Sequence, residues 1–182
     1  MRRTLRLADR SAIRPTGPDE IEAVAALHAE AFAASPHGHH GEADLVRALV
    51  ADGDVLVGLG AWVVDGLIGH VLFSRMAVEA DGLALSAAAL APVAVLPAHR
   101  RQGIAAALIR AGHERLAALG VRMAFVLGDP AYYERFGYDA ALARPFASPY
   151  AGPFFMAHGL DSAPPRPQRG EARHPPAFSR LA

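Results

Sequence analysis

The stretch His99-Arg100-Arg101-Gln102-Gly103-Ile104-Ala105-Ala106 joins an apolar run, Leu90 to Leu96, to the start of a helix. Backbone N–H groups at a helix start have no intrahelical acceptor and sit at the positive end of the helix dipole, so a turn of small residues there can wrap an anion. Gly103 and Ala105 leave room for close approach, and Arg100 and Arg101 add charge suited to phosphate. Arginine-rich turns before helices also occur as plain solvated connections, so the reading depends on what flanks this one.

Downstream, a helix over Gln102 to Leu119 places Ile104, Leu108, Gly112, Leu116 and Leu119 on one face, and Gly120 supplies its stop. Met123 to Leu127 reads as a short buried strand. Asp129 caps and Pro130 opens a short helix through Phe136, and Gly137 turns the chain toward a last strand pair closed by Phe154 to Leu160.

Upstream, Ile13-Arg14-Pro15 reads as an edge strand, and Thr16 to Asp19 leads into an amphipathic helix carrying Ile21, Val24, Leu27 and Ala31. After a loop rich in Pro, Gly and His, Glu42 to about Ala51 offers Leu45, Val46 and Leu49 to a second helix ended by Gly53. Val55 to Val64 and Leu67 to about Val78 are apolar strands joined by Asp65-Gly66, a favoured two-residue hairpin turn. Ala87 to Leu96 forms the third long strand, in which Pro92 predicts a bulge. Beyond Asp161, prolines 164, 165, 167, 175 and 176 alternate with arginines and few apolar residues, which predicts a disordered tail over residues 162–182.

A chain of 182 residues that is 52% hydrophobic is long enough for one domain with a full core. Basic and acidic side chains balance at 18 each, which argues against nucleic acid as a partner. The first residues lack a continuous apolar run, and the run around residues 84–98 is broken by Ser86, Pro92 and Pro97, so a cytoplasmic protein without a membrane partner is expected. With no cysteine there is no thiolate nucleophile or thiolate metal site, and with no lysine there is no Walker A sequence. The all-arginine basic set is read as coding bias rather than function.

The pattern Arg100-x-x-Gly103-x-Ala105 after an apolar strand resembles the acetyl-CoA loop of the GNAT superfamily of N-acetyltransferases. Tyr133-Glu134-Arg135-Phe136-Gly137-Tyr138 resembles the Tyr-Glu-x-x-Gly-aromatic segment that follows the next strand in that family, and the two motifs stand in the family's order. The likeness runs from Ile13 to Leu160 and, through Leu127-Gly128-Asp129-Pro130, is similar to a bacterial branch of predicted GNAT proteins. It implies an α/β (α+β) domain over residues 1–161 with a mixed, mostly antiparallel central sheet flanked by helices.

The resemblance also implies a site. Acetyl-CoA as cosubstrate would lie on Arg100, Arg101, Gln102, Gly103, Ile104, Ala105 and Ala106 at its phosphates, and on the backbone of Val93, Ala94 and Val95 along pantetheine. One N–H of that strand would face the thioester oxygen, a type of donation worth about 3 kcal/mol in a transition state. Tyr133 would protonate the departing thiolate, an uphill transfer of about 2 kcal/mol for ordinary phenol and thiol pKa values. The acceptor would be an amine of a small molecule or a protein, acetylated directly, with no metal; a homodimer stays open. A rival reading is an acyl-CoA-binding regulatory or interaction module without turnover, and a longer acyl chain or an alcohol acceptor also stays open.

An amine of pKa about 10.4 is neutral at pH 7 only at a cost of about 4.6 kcal/mol, so a base is useful. Asp129, Glu79, His70 and Glu42 are candidates, each equally readable as a cap or surface charge. His37, His39 and His40 match no common zinc spacing and read as a solvated loop suited to acceptor contact. Gly58-x-Gly60 lacks the third glycine and following helix of a dinucleotide fingerprint and reads as strand.

Overall fold

The computed structural model describes residues 11–33 and 41–181; the three loop histidines lie outside them. Strand β1 (Ala12–Pro15) is followed by a short 3-10 turn (Pro18–Glu20), α1 (Ile21–Ala33) and α2 (Glu42–Ala51). Next come β2 (Val55–Val63), β3 (Gly66–Ala80), β4 (Leu83–Val95), α3 (Ile104–Ala118) and β5 (Met123–Leu127). The chain continues through α4 (Pro130–Tyr133), α5 (Ala140–Ala143), β6 (Phe146–Ala147), β7 (Phe155–Gly159) and β8 (Gly170–Arg173) to a 3-10 turn over Pro176–Leu181. The eight strands form one sheet with the path β1-β2-β3-β4-β5-β7, antiparallel except where β4 meets β5 and β6 meets β8. The mixed, mostly antiparallel α/β architecture expected from the sequence is the one found.

Alternation along the strands feeds two cores. Leu72, Met76, Met123 and Phe125 pack with Val24, Leu45, Val46 and Leu49 of α1 and α2. Val71, Phe73, Ala124 and Val126 pack with Ile104, Leu108, Ile109 and Leu116 of α3. Two glycines set the depth of α3. A Cβ on Gly112 would stand 2.1 Å from Phe73 Cε2, and one on Gly69 would stand 2.9 Å from Ile104 Cγ2. The helix can lie this close only because those side chains are missing.

Four expectations are corrected. The β2–β3 loop is Val64-Asp65 rather than Asp65-Gly66, because Val63 pairs with Gly66, which enters β3 at φ +129°. Ile68 is then the extra residue that restores register between Ala61↔Gly69 and Trp62↔Leu67. Helix α3 starts at Ile104 rather than Gln102, since Arg101 (φ 59°) and Gly103 (φ 86°) are left-handed. Leu119 is 62% exposed because the helix has ended beneath it, and Val121 takes up the burial instead.

The fourth concerns the tail, which is ordered over its described part. β2 begins at Val55 opposite Ser74, which leaves the far end of β3 without that neighbour, and β8 pairs there with Ala77 to Ala80. Asp81 anchors the approach, its carboxylate accepting from the Gln168 and Arg169 N–H groups. Ala172, Ala177 and Phe178 enter the α1/α2 core. Few apolar residues suffice because the segment covers an existing edge instead of building its own core.

His28 and His70 are fully buried between α1 and β3, with His28 Nε2 2.9 Å from His70 Nδ1 and His70 Nε2 3.3 Å from Thr16 Oγ1. Burial, and for His28 also the neighbouring ring, lowers His28 to about 3 and His70 to about 4. Both fold as neutral rings while the unfolded chain keeps the ordinary value near 6.5. Their contribution is therefore present above about pH 6.5 and lost as pH falls toward their folded values, by roughly 1 kcal/mol per pH unit for each ring. Urea unfolding at pH 7 and pH 4.5 should show this loss, and the His28→Gln/His70→Gln protein should show a flatter pH dependence. In the same assay Gly112→Ala should cost about 1–3 kcal/mol, because Phe73 has no vacant space to occupy.

Candidate active site

β4 and β5 pair in parallel only over Ala87↔Met123, Ala88↔Ala124 and Ala89↔Phe125, although both strands continue further. The parting coincides with an irregularity on the other edge of β4, where Ala91 and Pro92 together oppose Leu72 alone between Leu90↔Phe73 and Val93↔Val71. Pro92 also lacks an N–H for any ladder. Past Ala89, then, the β5-facing edge of β4 is without a strand partner, and Val93, Ala94 and Val95 lie on that stretch while their other edge pairs with β3. The bulge expected at Pro92 is present.

The fork opens into a cleft of about 520 Å³. Its floor is Leu90 to Val93 and Leu127, Tyr133 stands at one wall, and Phe32, Glu42 and Leu45 line the side toward the first two helices. Tyr150, His174, Phe178 and Ser179 complete it. Asp129 caps α4 by accepting from the Ala131 N–H at 3.0 Å, and this fixes the turn that delivers Tyr133. Gly128 makes room, since a Cβ there would stand 2.4 Å from Tyr133 Cε2. The Tyr133 ring packs edge-on to Tyr132 and Tyr138, with centroids 5.1 and 5.9 Å away. Burial, with Tyr132 beside it, pushes the Tyr133 phenol well above its ordinary range, so it stays protonated throughout the neutral region.

The turn before α3 treats its two arginines differently. Arg100, although exposed as a residue, is hydrogen-bonded back onto the chain: Nη2 donates to the Ala31 carbonyl at 2.6 Å and Nε to the Val95 carbonyl at 3.4 Å, tying the turn to the end of α1. Arg101 is exposed, and with Gly103 its left-handed backbone curls the chain over the first turn of α3. The N–H groups of Ile104, Ala105 and Ala106 begin that helix and have no intrahelical acceptor. An anion can therefore rest on backbone donors and one exposed guanidinium, while Arg100 acts as a strut.

Of the four base candidates, only Glu42 lines the cleft. Asp129 is committed to its cap, and Glu79 lies exposed on β3 opposite Glu171. His70 is engaged with His28 and Thr16 and borders a separate hollow of about 260 Å³. The sequence reading missed Tyr150, His174, Phe178 and Ser179. Their one signal was an aromatic residue four positions after a histidine within the proline-rich run.

A mixed sheet parted at its middle, with a helix start just beyond the fork, is the fold shared with GNAT acetyltransferases. The chain belongs to that family: the model of the acetyltransferase (GNAT) domain matches residues 12–141. It is 34% identical over 119 residues to YjhQ, an uncharacterized N-acetyltransferase of Escherichia coli K12, a match covering 64% of this chain and 66% of that protein. It is 41% identical over 101 residues to a second uncharacterized N-acetyltransferase of that strain, YhbS, covering 55% of this chain and 59% of the relative. Both matches therefore span less than two thirds of the relative's length.

Two crystal structures agree over nearly the whole chain. YhbS from E. coli in complex with CoA superposes with a TM-score of 0.80 at 30% identity, covering 100% of this chain and 97% of the other. A GNAT family acetyltransferase from Brucella melitensis in complex with acetyl-CoA gives 0.77 at 28% identity, covering 92% and 97%.

The division of labour between the arginines is testable by calorimetric titration with CoA and by urea unfolding. Arg100→Ala should cost about 1–2 kcal/mol of stability through its lost carbonyl contacts. Arg101→Ala should leave stability within about 0.5 kcal/mol and weaken CoA binding several-fold, more at low salt than at high.

Proposed function

We propose that this protein transfers the acetyl group of acetyl-CoA directly to an amine. The observation that carries the reading is the unpaired β4 edge between a helix-start cradle and Tyr133. It offers an extended pantetheine arm a strand-like partner and aims its thioester end into the cleft. Backbone donors of Val93 to Val95 serve the arm and the thioester oxygen, and the residues from Arg101 to Ala106 serve the phosphates. Both complexes of structurally similar proteins, one with CoA and one with acetyl-CoA, support the choice of cosubstrate.

In this reading the amine nitrogen bonds to the acetyl carbon as the carbon–sulfur bond breaks. An ammonium acceptor loses two protons overall: one replaces the proton that Tyr133 gives to the thiolate, and the other leaves to solvent. Most of the rate comes from positioning. The buried phenol is a weaker acid than free tyrosine, so its proton moves only as sulfur acquires charge. The acceptor reading covers small-molecule and protein amines alike.

Thermal unfolding with acetyl-CoA, CoA and ATP is the direct test. At about 100 times its dissociation constant a ligand stabilises by about 2.7 kcal/mol, several degrees for a chain of this size. Acetyl-CoA and CoA should raise the midpoint while ATP does not; no shift with either CoA species rejects the reading. Tyr133→Phe should lower kcat by about 100-fold with acetyl-CoA affinity nearly unchanged, whereas unchanged turnover would remove Tyr133 as the acid.

A further inference from the structure

Tyr133 and the cradle stand on different elements, and a side-chain hydrogen bond behind the cleft joins those elements. Tyr138, shortly after Tyr133 in the chain, is 2% exposed. Its hydroxyl and Nε2 of His113, in α3, share a hydrogen bond of 3.0 Å. His158 of β7 closes the group, with its ring 5.6 Å from Tyr138 and 4.8 Å from His113 and its Nδ1–H donating to the Gly137 carbonyl at 3.1 Å. On its other side the His113 ring stands 5.9 Å from Phe73, the residue that packs over Gly112. Neither Tyr138 nor His113 lines the cleft, and the chemistry proposed above uses neither.

The Tyr133 ring is held by other rings: Tyr132 and Phe136 at 5.1 and 6.4 Å between centroids, and Tyr138 at 5.9 Å and 85°. Tyr132 and Phe136 belong to the same short helical segment as Tyr133 and move with it. Tyr138 differs because its hydroxyl is tied to another element. We propose that Tyr138, through its bond to His113, is a positioning residue that keeps the Tyr133 hydroxyl at the sulfur of bound CoA. This rests on the reading of Tyr133 as the acid and says what aims it.

Edge-to-face ring contacts are directional, so a Tyr138 ring released from His113 lets the Tyr133 ring shift with it. A displacement of about 1 Å at a reacting group can cost about 100-fold in rate. Because the first turn of α3 forms the cradle, a bond from α3 sets the acid against the cosubstrate rather than against its own segment. Burial, with His158 beside it, lowers His113 to about 4, and burial, with Tyr133 beside it, raises the Tyr138 phenol well above its ordinary range. Both groups therefore keep their protons unchanged while a thiol of ordinary pKa, about 8.5, titrates.

That constancy permits a test that needs no acceptor. The full chain is saturated with CoA, and the pKa of the bound thiol is read from thiolate ultraviolet absorbance against the complex with desulfo-CoA. A phenol donating to the thiolate favours the charged form, so Tyr133→Phe should raise the thiol pKa by about 1 and Tyr138→Phe by about half as much. In the Tyr133→Phe background Tyr138→Phe should add nothing, since its effect passes through the hydroxyl already removed. His113→Gln, whose amide can still meet the Tyr138 hydroxyl, should keep the original value, and His113→Leu should match Tyr138→Phe. Urea unfolding checks that each protein is folded; if Tyr138→Phe is not, the two His113 variants carry the same comparison. Equal shifts from Tyr138→Phe in both backgrounds, or a shift in neither, overturn the inference and leave Tyr133 as the acid. No shift from Tyr133→Phe itself removes the acid reading and this inference with it, and failure to bind CoA at all removes the cosubstrate reading beneath both.

Discussion

The parting of β4 from β5 after three residue pairs is the constraint on which the site depends. Two neighbouring parallel strands of this length would ordinarily continue their ladder and bury their polar edges in each other. Here Ala91 and Pro92 share one place opposite Leu72, β4 is redirected, and the remaining N–H and C=O groups face a cleft instead of β5. Unpaired edge groups in a buried setting are costly unless something pairs with them. A ligand with amide groups in extended form is a natural complement, and the same geometry that leaves the edge open carries the chain onward to the turn before α3.

That turn is held in position by packing on the opposite face of the sheet. Phe73 occupies the space over Gly112, and Ile104, the first residue of α3, lies over Gly69. The helix start is thus fixed to the strand neighbouring β4 by side-chain contact, and Arg100 ties the turn to α1 through the Ala31 carbonyl. Cradle, fork and first helix are therefore parts of one mechanical unit. Close-packed interiors transmit small displacements rather than absorb them, so the position of the cradle also depends on Phe73, Gly69 and Gly112, which do not line the cleft.

Much of this could be read from the sequence where the signal was local. Gly103, Gly120 and Gly137 stand at left-handed positions that bound α3 and the short helix of Tyr133, and an apolar period of 3.6 marked α1, α2 and α3. Pro92 marked the bulge because proline breaks a ladder whatever its surroundings. What escaped was relational. Arg100 and Arg101 are the same residue type side by side, and only the position of the Ala31 carbonyl makes one a strut and leaves the other facing solvent. The hairpin turn shifted by one residue because Gly66 is used at a strand entry, with Ile68 absorbing the difference.

The C-terminal segment illustrates the limit most clearly. Judged by composition, prolines and arginines with few apolar residues do not supply a core. That argument assumes the segment must bury its own surface, whereas β3 already presents an edge beyond the reach of β2, and Asp81 already presents a carboxylate to the approaching backbone N–H groups. Under those conditions a four-residue strand and three small or aromatic side chains are enough. The prolines are compatible with the docked state because they flank β8 and leave its four N–H groups intact. A segment of this kind folds with little new burial, and its residues reach the cleft as well as the core: His174 and Phe178 line the cleft, and Phe178 also packs in the α1/α2 core.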